Sequence, residues 1–205
     1  MRLKGKYIIL IVYILFYHSS NGQDIGLRAN TEFSDNKKIN NAFGFGGYVN
    51  INDFSKKIEL LFSLDYNKNN KIFQDEDFRA KYTRFYFSTN CMYVFILSEK
   101  IKLKTGPSLS YNVLKASDEG IYVNWIHPYK TKAIGTGVVV NIQFHDLFNI
   151  PISFDIYFTP TYLINIKKDT DLISNTTGSD YSENLKILNL EFGLSYKLNN
   201  NNSTK

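Results

Sequence analysis

Few residues in this chain are equipped for chemistry, and their spacing restricts them further. Hydrolysis or acyl transfer needs a nucleophile and a base within hydrogen-bond reach. Of the three histidines, His18 lies in an apolar leader, which leaves His127 and His145. His127 with Ser117 is the one pairing that suggests a dyad. His145 belongs to a short connection elsewhere, so the two imidazoles are not expected to share a site. Cys91 is the single cysteine, which rules out an intrachain disulfide, and two distant histidines with one cysteine make no metal-ligand cluster. There is no GxxxxGK[ST] loop and no strand–GxGxxG–helix unit. The glycine-rich run 44–47 (GFGG) sits inside a strand pattern. We therefore assign no catalytic, cofactor or metal residue, and expect no cofactor.

Ten other charged residues recur at alternate positions within otherwise apolar stretches. They are Arg28, Arg84, Lys102, Lys104 and Lys197, against Glu32, Glu59, Asp65, Asp155 and Glu191. Five bases meet five acids. Charges withdrawn from water must be paired or hydrogen-bonded, because an orphaned one costs several kcal/mol. Such a set is either a salt-bridged plug or a path for protons or ions. A second cluster, Tyr122, Trp125, His127 and Tyr129, lies between two of these stretches. It reads equally as an exposed binding surface or as part of an aromatic layer at a membrane interface.

The elements that must carry these residues are strands. Eight segments alternate apolar and polar residues with period two: 24–33, 42–51, 57–67, 82–97, 100–113, 132–144, 151–165 and 185–198. On their more apolar faces, 47 positions in all, none is charged. At the chain's 21% charge content, about ten charges would fall there by chance. The intervening positions hold the ten charges, seven glycines and many Ser and Asn.

The first 22 residues stand apart. Arg2, Lys4 and Lys6 precede an uncharged run from Tyr7 to Tyr17, and Ser20, Asn21 and Gly22 follow it. That order is a secretory signal peptide, too short to span a bilayer as a helix, with cleavage expected after Gly22. The mature chain keeps 183 of 205 residues, with 21 basic residues against 19 acidic ones. A net charge of +2 gives no reason to invoke nucleic acid.

Which face is inside follows from volume. An eight-stranded barrel is just wide enough inside for side chains to fill it, and eight apolar faces of about six residues would overfill it. With the pattern turned inside out, Phe, Ile, Leu and Tyr meet lipid while small and polar residues occupy the lumen. Connections alternate in length: 34–41, 68–81, 114–131 and 166–184 are long, and 52–56, 98–99 and 145–150 are short. Transmembrane barrels have this asymmetry, with short turns toward the periplasm. Phe33, Phe43, Tyr66, Tyr111 and Tyr162 form one expected aromatic girdle, and Tyr93, Phe95, Phe144 and Tyr196 the other. Pro107 and Pro160 fall within strands, where bulges or strand ends are expected to accommodate them.

The chain resembles the outer-membrane protein β-barrel domain family, the PorT-like small eight-stranded barrels of Gram-negative bacteria. The resemblance rests on a leader ending NGQD, on GFGGYVNI followed by KIELLFSLDYN, on TGPSLSYNV, and on the closing pair FDIYFTPTYLINI and LKILNLEFGLSYKL. Two departures stand out. KYTRFYFSTNCMYVF lacks the proline usual in the fourth strand, and a polar tail, NNNNSTK, follows Leu198. The resemblance implies a location and an architecture more than an activity.

The expectation is an all-β chain: an eight-stranded antiparallel up-and-down transmembrane barrel (23–198) after a signal peptide (1–22), with a polar tail (199–205). Its expected role is non-catalytic: structural, adhesive or binding, or accessory to envelope machinery. Outer-membrane lipid, the barrel-assembly machinery and other envelope proteins are its expected partners. The rivals are a narrow pore, a lipid hydrolase at the rim, and a soluble exported lipocalin-like binder. The last would bury Phe62, Leu64, Phe154 and Phe158 inside.

Overall fold

The computed structural model describes residues 23–55, 57–74, 77–122, 126–168 and 184–198. The segment expected to be a signal peptide (1–22), residues 169–183 and the polar tail (199–205) lie outside them.

Eight strands follow in chain order: β1 (Gln23–Ser34), β2 (Ala42–Ser55), β3 (Ile58–Phe73), β4 (Phe78–Ser98), β5 (Ile101–Gly120), β6 (Ile126–Phe144), β7 (Ile152–Lys168) and β8 (Leu185–Leu198). Each pairs antiparallel with its sequence neighbour, and β1 pairs with β8 to close the barrel. Closure leaves no free edge through the body of the sheet. Gln23 stands opposite Leu198, so both ends of the described barrel lie at the short-turn rim.

Alternation does what the sequence implies, with the apolar phase outward. Leu27, Phe43, Phe45, Leu109 and Leu194 are each more than half exposed, whereas Arg28, Glu32, Asp65, Arg84, Asp155 and Glu191 are buried. A water-soluble barrel has the opposite arrangement. Leu64 and Phe158 are exposed on the outer wall, and Phe62 and Phe154 stack there on Phe87 and Phe192. The lipocalin-like alternative is overturned. Both sets of girdle aromatics also lie on the outer phase.

Two expected loops are mostly sheet. β3 and β4 stay paired out to Phe73 opposite Phe78, and β5 and β6 out to Glu119 opposite Ile126. The segments 68–81 and 114–131 are therefore long hairpins whose pairing continues beyond the ladders to β2 and β7 on either side. Their outward residues are largely polar while Phe78, Ala80, Leu114 and Ala116 are apolar and inward, a reversal of phase that hid the strands. At turns, Asn41, Asp77, Asp146 and Asn149 take positive φ of 52–65°, a conformation that Asn and Asp tolerate better than other non-glycine residues.

The prolines behave differently from expectation. Pro107 pairs in continuous register with Val138, and Pro160 with Leu188. The register shifts lie elsewhere, near Ile51, Ile96 and Lys132. Pro107 drops two rungs of its ladder to β4, and Pro160 two rungs to β6, without a slip. Gly106 and Gly137 sit beside those gaps. A Cβ on either would meet the neighbouring strand's backbone (Met92 Cα and Thr161 Cα, each at 3.1 Å), so absent side chains let the strands close up where a hydrogen bond is missing.

Candidate functional site

Five consecutive strands spell out the centre of the lumen. Asp155 on β7 stands opposite Gly193 on β8, then come Arg28 on β1, Gly46 on β2 and Asp65 on β3. The order acid, glycine, base, glycine, acid gives Arg28 empty positions on both sides. A Cβ at Gly46 would lie 2.6 Å from Asp65 Cγ, and one at Gly193 would lie 2.8 Å from Tyr48 Oη. The Asp65 carboxylate and the Tyr48 ring fill those two spaces and close on the guanidinium. Its Nε donates to Asp65 Oδ1 at 2.8 Å and its Nη2 to Asp65 Oδ2 at 2.6 Å. Nη2 also donates to Ser63 Oγ at 2.6 Å, and Nη1 pairs with Glu191. The rings of Tyr48 and Tyr157 flank it at 5.9 and 5.5 Å. A planar fork with five donors suits this bidentate arrangement, which an ammonium could not reproduce.

Toward the long-hairpin end lies a second layer. Arg84 Nη1 pairs with Glu32 at 2.9 Å, and Nε donates to Asn112 Oδ1 at 2.8 Å. Glu32 also accepts from Asn67 Nδ2 at 2.7 Å and from Tyr82 Oη at 2.9 Å. Toward the short-turn end, Lys104 pairs with Glu59 at 2.5 Å, and Asn50 donates to the same carboxylate at 2.7 Å. Asp155 has no cation among the described residues. It accepts from Tyr48 Oη at 2.7 Å, Ser195 Oγ at 3.1 Å and Asn141 Nδ2 at 3.3 Å.

Eight of the ten charged residues singled out in the sequence are thus buried in one stack. Lys102 is half-buried and Lys197 exposed, both near the short-turn rim. Asp24 was missed. It is buried and accepts from Asn52 at 3.2 Å, in the first residues of β1 where alternation has barely begun.

The outer mouth is closed by apolar packing, which the sequence reading did not anticipate. The turn after β1 folds Ile39 inward to zero exposure, against Ala42, Tyr82, Leu114, Ala116, Ala133, Leu163, Leu185 and Ile187. The clue was available: Leu114 and Ala116 continue the inward phase of β5 beyond its assigned end. Between the two arginine layers, the polar void lined by Arg28, Arg84, Tyr86, Ser88 and Glu191 measures about 10 Å³. That admits one water at most.

The remaining candidates are dispersed. Ser117 is on the outer phase of β5, with Oγ toward Glu119 Oε1 at 3.5 Å. His127 pairs in register with the inward residue Asp118, so positions 117 and 127 occupy opposite faces of the hairpin. The His127 side chain and Trp125 lie outside the described residues. Tyr122 is 81% exposed at the hairpin tip, whereas Tyr129 packs against the apolar closure. His145 is at the other rim, its Nδ1 2.9 Å from Asp146 Oδ2. That hydrogen bond is the main reason the Asp146 carboxyl sits below its ordinary value. Among the described residues, no three His, Cys, Asp or Glu come together as metal ligands. Cys91 is exposed on the outer wall.

Comparison with known proteins fits this architecture. No protein-family model matches the chain, and no curated protein matches it in sequence. Solved structures do. Neisserial surface protein A superposes with a TM-score of 0.53 at 17% identity, covering 86% of this chain and 97% of its own. Ail, the attachment invasion locus protein of Yersinia pestis, gives 0.50 at 16% identity, covering 87% and 99%. A major outer membrane protein from Thermus thermophilus gives 0.57 at 9% identity, covering 86% and 99%. The chain has the fold of the eight-stranded outer-membrane β-barrels.

Proposed function

We propose that this protein is a sealed, non-catalytic barrel of the bacterial outer membrane, exported by its N-terminal signal peptide, which presents its two long hairpins outside the cell. The carrying observation is the inverted burial: large apolar side chains cover the outer wall while four buried ion pairs, made by three cations, fill the lumen. Only lipid makes such a wall favourable. Assignment to the PorT-like group rests on the sequence resemblance, and the barrel-assembly machinery is the partner such a closed sheet would need for insertion.

A structural or adhesive role fits best, because what differs from a bare barrel is the pair of hairpins, not the lumen. Ail carries attachment in its name, and a similar surface role is proposed for this chain. A narrow pore is disfavoured by the filled core, and a rim hydrolase by the separation of positions 117 and 127. Other envelope proteins remain candidate partners for the hairpins.

Fractionation with gel analysis tests this reading. The protein should appear in the outer-membrane fraction, migrate differently with and without boiling, and give no steady conductance in a planar bilayer. A periplasmic protein without a heat shift would overturn the membrane assignment. A heat-shifting protein with ohmic conductance would overturn the sealed lumen alone.

A further inference from the structure

The outer faces of the β3–β4 and β5–β6 hairpins carry an unbalanced set of charges. Register places Lys68, Thr83, Lys115 and Lys130 on one continuous rung across β3, β4, β5 and β6. The next rung toward the membrane reads Tyr66, Phe85, Val113 and Lys132, and the next one outward reads Asn70, Lys81, Ser117 and Pro128. Beyond it come Ile72, Arg79, Glu119 and Ile126. These residues all belong to the outward phase, and none is buried. The patch therefore holds six bases (Lys68, Arg79, Lys81, Lys115, Lys130, Lys132) and one acid, Glu119, which Lys81 engages at 2.7 Å. Lys68, Lys115, Lys130 and Lys132 are in no ion pair among the described residues.

The arrangement opposes folding unless something neutralises it. Lys115 and Lys130 face each other directly, where cross-strand Cβ atoms lie about 5 Å apart and like charges repel. Lys132 and Lys81 occupy the diagonal positions on either side of Lys115, still within reach of long side chains. Three features locate the missing counter-charge. The lysine rung lies one alternate step, roughly 7 Å along the strands, beyond the apolar rung of Tyr66, Phe85 and Val113. Headgroups occupy that depth, since they add about 5–7 Å to each side of the hydrocarbon core. Finally, the patch is continuous with the lipid-facing wall on the same strands, so a molecule whose chains lie against Phe85 and Val113 would bring its headgroup to Lys115.

We propose that the outward face of β3–β6 is a binding surface for the phosphorylated headgroups of the outer-leaflet glycolipid surrounding the barrel. Lys68, Lys115, Lys130 and Lys132 are the phosphate contacts, and the Tyr66–Phe85–Val113 rung is the seat of the acyl chains. The proposal rests on the outer-membrane reading above.

The test uses the mature protein in phosphatidylcholine vesicles containing bisphosphorylated lipid A, or the same lipid A stripped of both phosphates. Co-purifying lipid is counted by mass spectrometry after detergent extraction. Wild type should retain the phosphorylated form preferentially, and retention should fall as salt rises. At about fivefold per basic residue at an anionic surface, the triple variant Lys68→Gln/Lys115→Gln/Lys130→Gln should bind about a hundredfold more weakly. Arginine at the same three positions should restore retention, and Lys100→Gln, in the opposite turn, should leave it unchanged. Equal retention of the two lipids by wild type, or undiminished retention by the triple variant with its heat shift intact, would overturn the proposal. So would tighter binding of a sulfated oligosaccharide than of lipid A by the protein in detergent, which would make the patch a receptor for a soluble polyanion. Failure to enter vesicles at all would count against the membrane reading itself.

Discussion

The lumen is filled in two different ways along one axis. Through its centre, charged, hydroxyl and amide groups predominate and engage one another, with Leu61, Met92 and Val139 as apolar filling beside Tyr48 and Tyr157. Arg28 alone touches Asp65, Ser63 and Glu191 between two tyrosine rings. At the outer mouth, the same inward phase of the same strands carries Leu114, Ala116, Ala133, Leu163, Leu185 and Ile187, with Ile39 as the stopper. The two halves are expected to fail differently. A polar stack has fixed geometry, and removing one member strands the others without water. An apolar stopper is non-directional and loses stability in proportion to the area withdrawn.

The largest effect should come from breaking the stack at its most connected point. Arg28→Leu leaves Asp65 and Glu191 buried without their cation, and orphaned buried charges of this kind cost about 3–5 kcal/mol. Urea titration of the barrel in lipid, read by the heat-modifiable band, should show that loss. Adding Asp65→Leu and Glu191→Leu should recover much of it, since replacing a whole buried charge group with apolar residues of similar volume is often neutral. If Arg28→Leu alone is harmless, the centre is not a mutually dependent network.

The stopper should yield less. Ile39→Ala removes a fully buried side chain from the outer cluster, and about 2 kcal/mol is expected, at the low end for such truncations because a surface turn can relax into the space. Unlike the arginine variant, it should be tolerant of Val or Leu. Equal damage from Val and Ala would show that the mouth also depends on exact shape. Tyr82 joins the two regions, since its ring packs in the outer cluster while its hydroxyl donates to Glu32. Tyr82→Phe keeps the ring, and Glu32 keeps Arg84 and Asn67, so about 1–2 kcal/mol is expected. A change near zero would place Tyr82 wholly with the apolar half.

Legibility in the sequence followed the same division. The central stack was readable because charges at strict alternation in apolar stretches contradict any other placement, as Glu59, Asp65 and Asp155 illustrate. The outer closure was not. Leu114 and Ala116 are apolar on the inward phase just where the outward phase turns polar at Lys115 and Ser117, so alternation there points the wrong way. The segment looked like a loop, and the lysine rung on it was invisible until register aligned Lys68, Lys115 and Lys130. Two functional candidates, Ser117 and His127, are close in sequence but separated by the same two-residue period. The glycines flanking Arg28 come from distant strands, and no local pattern connects Gly46 with Gly193.

The smallest effect separates charge pairing from burial, which the central stack combines. Asp146 and His145 form a hydrogen-bonded pair in the turn at the short-turn rim, where the Asp146 side chain is about half exposed. The carboxyl sits below its ordinary value of 3.8, first because of the His145 hydrogen bond and then through its charge and those of Lys197 and Lys102. A carboxyl lowered by folding adds stability above its unfolded value and loses that stability as pH falls through the folded one. Asp146→Asn should therefore be slightly less stable than wild type at pH 5, by no more than a few tenths of a kcal/mol for an exposed pair. The difference should close below pH 3.8 and shrink in 1 M salt. Arg28→Leu should keep most of its deficit in that salt, because its pairs are shielded from solvent ions. If the two deficits respond alike to salt, the centre of the lumen is wetter than its packing implies, and burial is not what makes the stack costly to break.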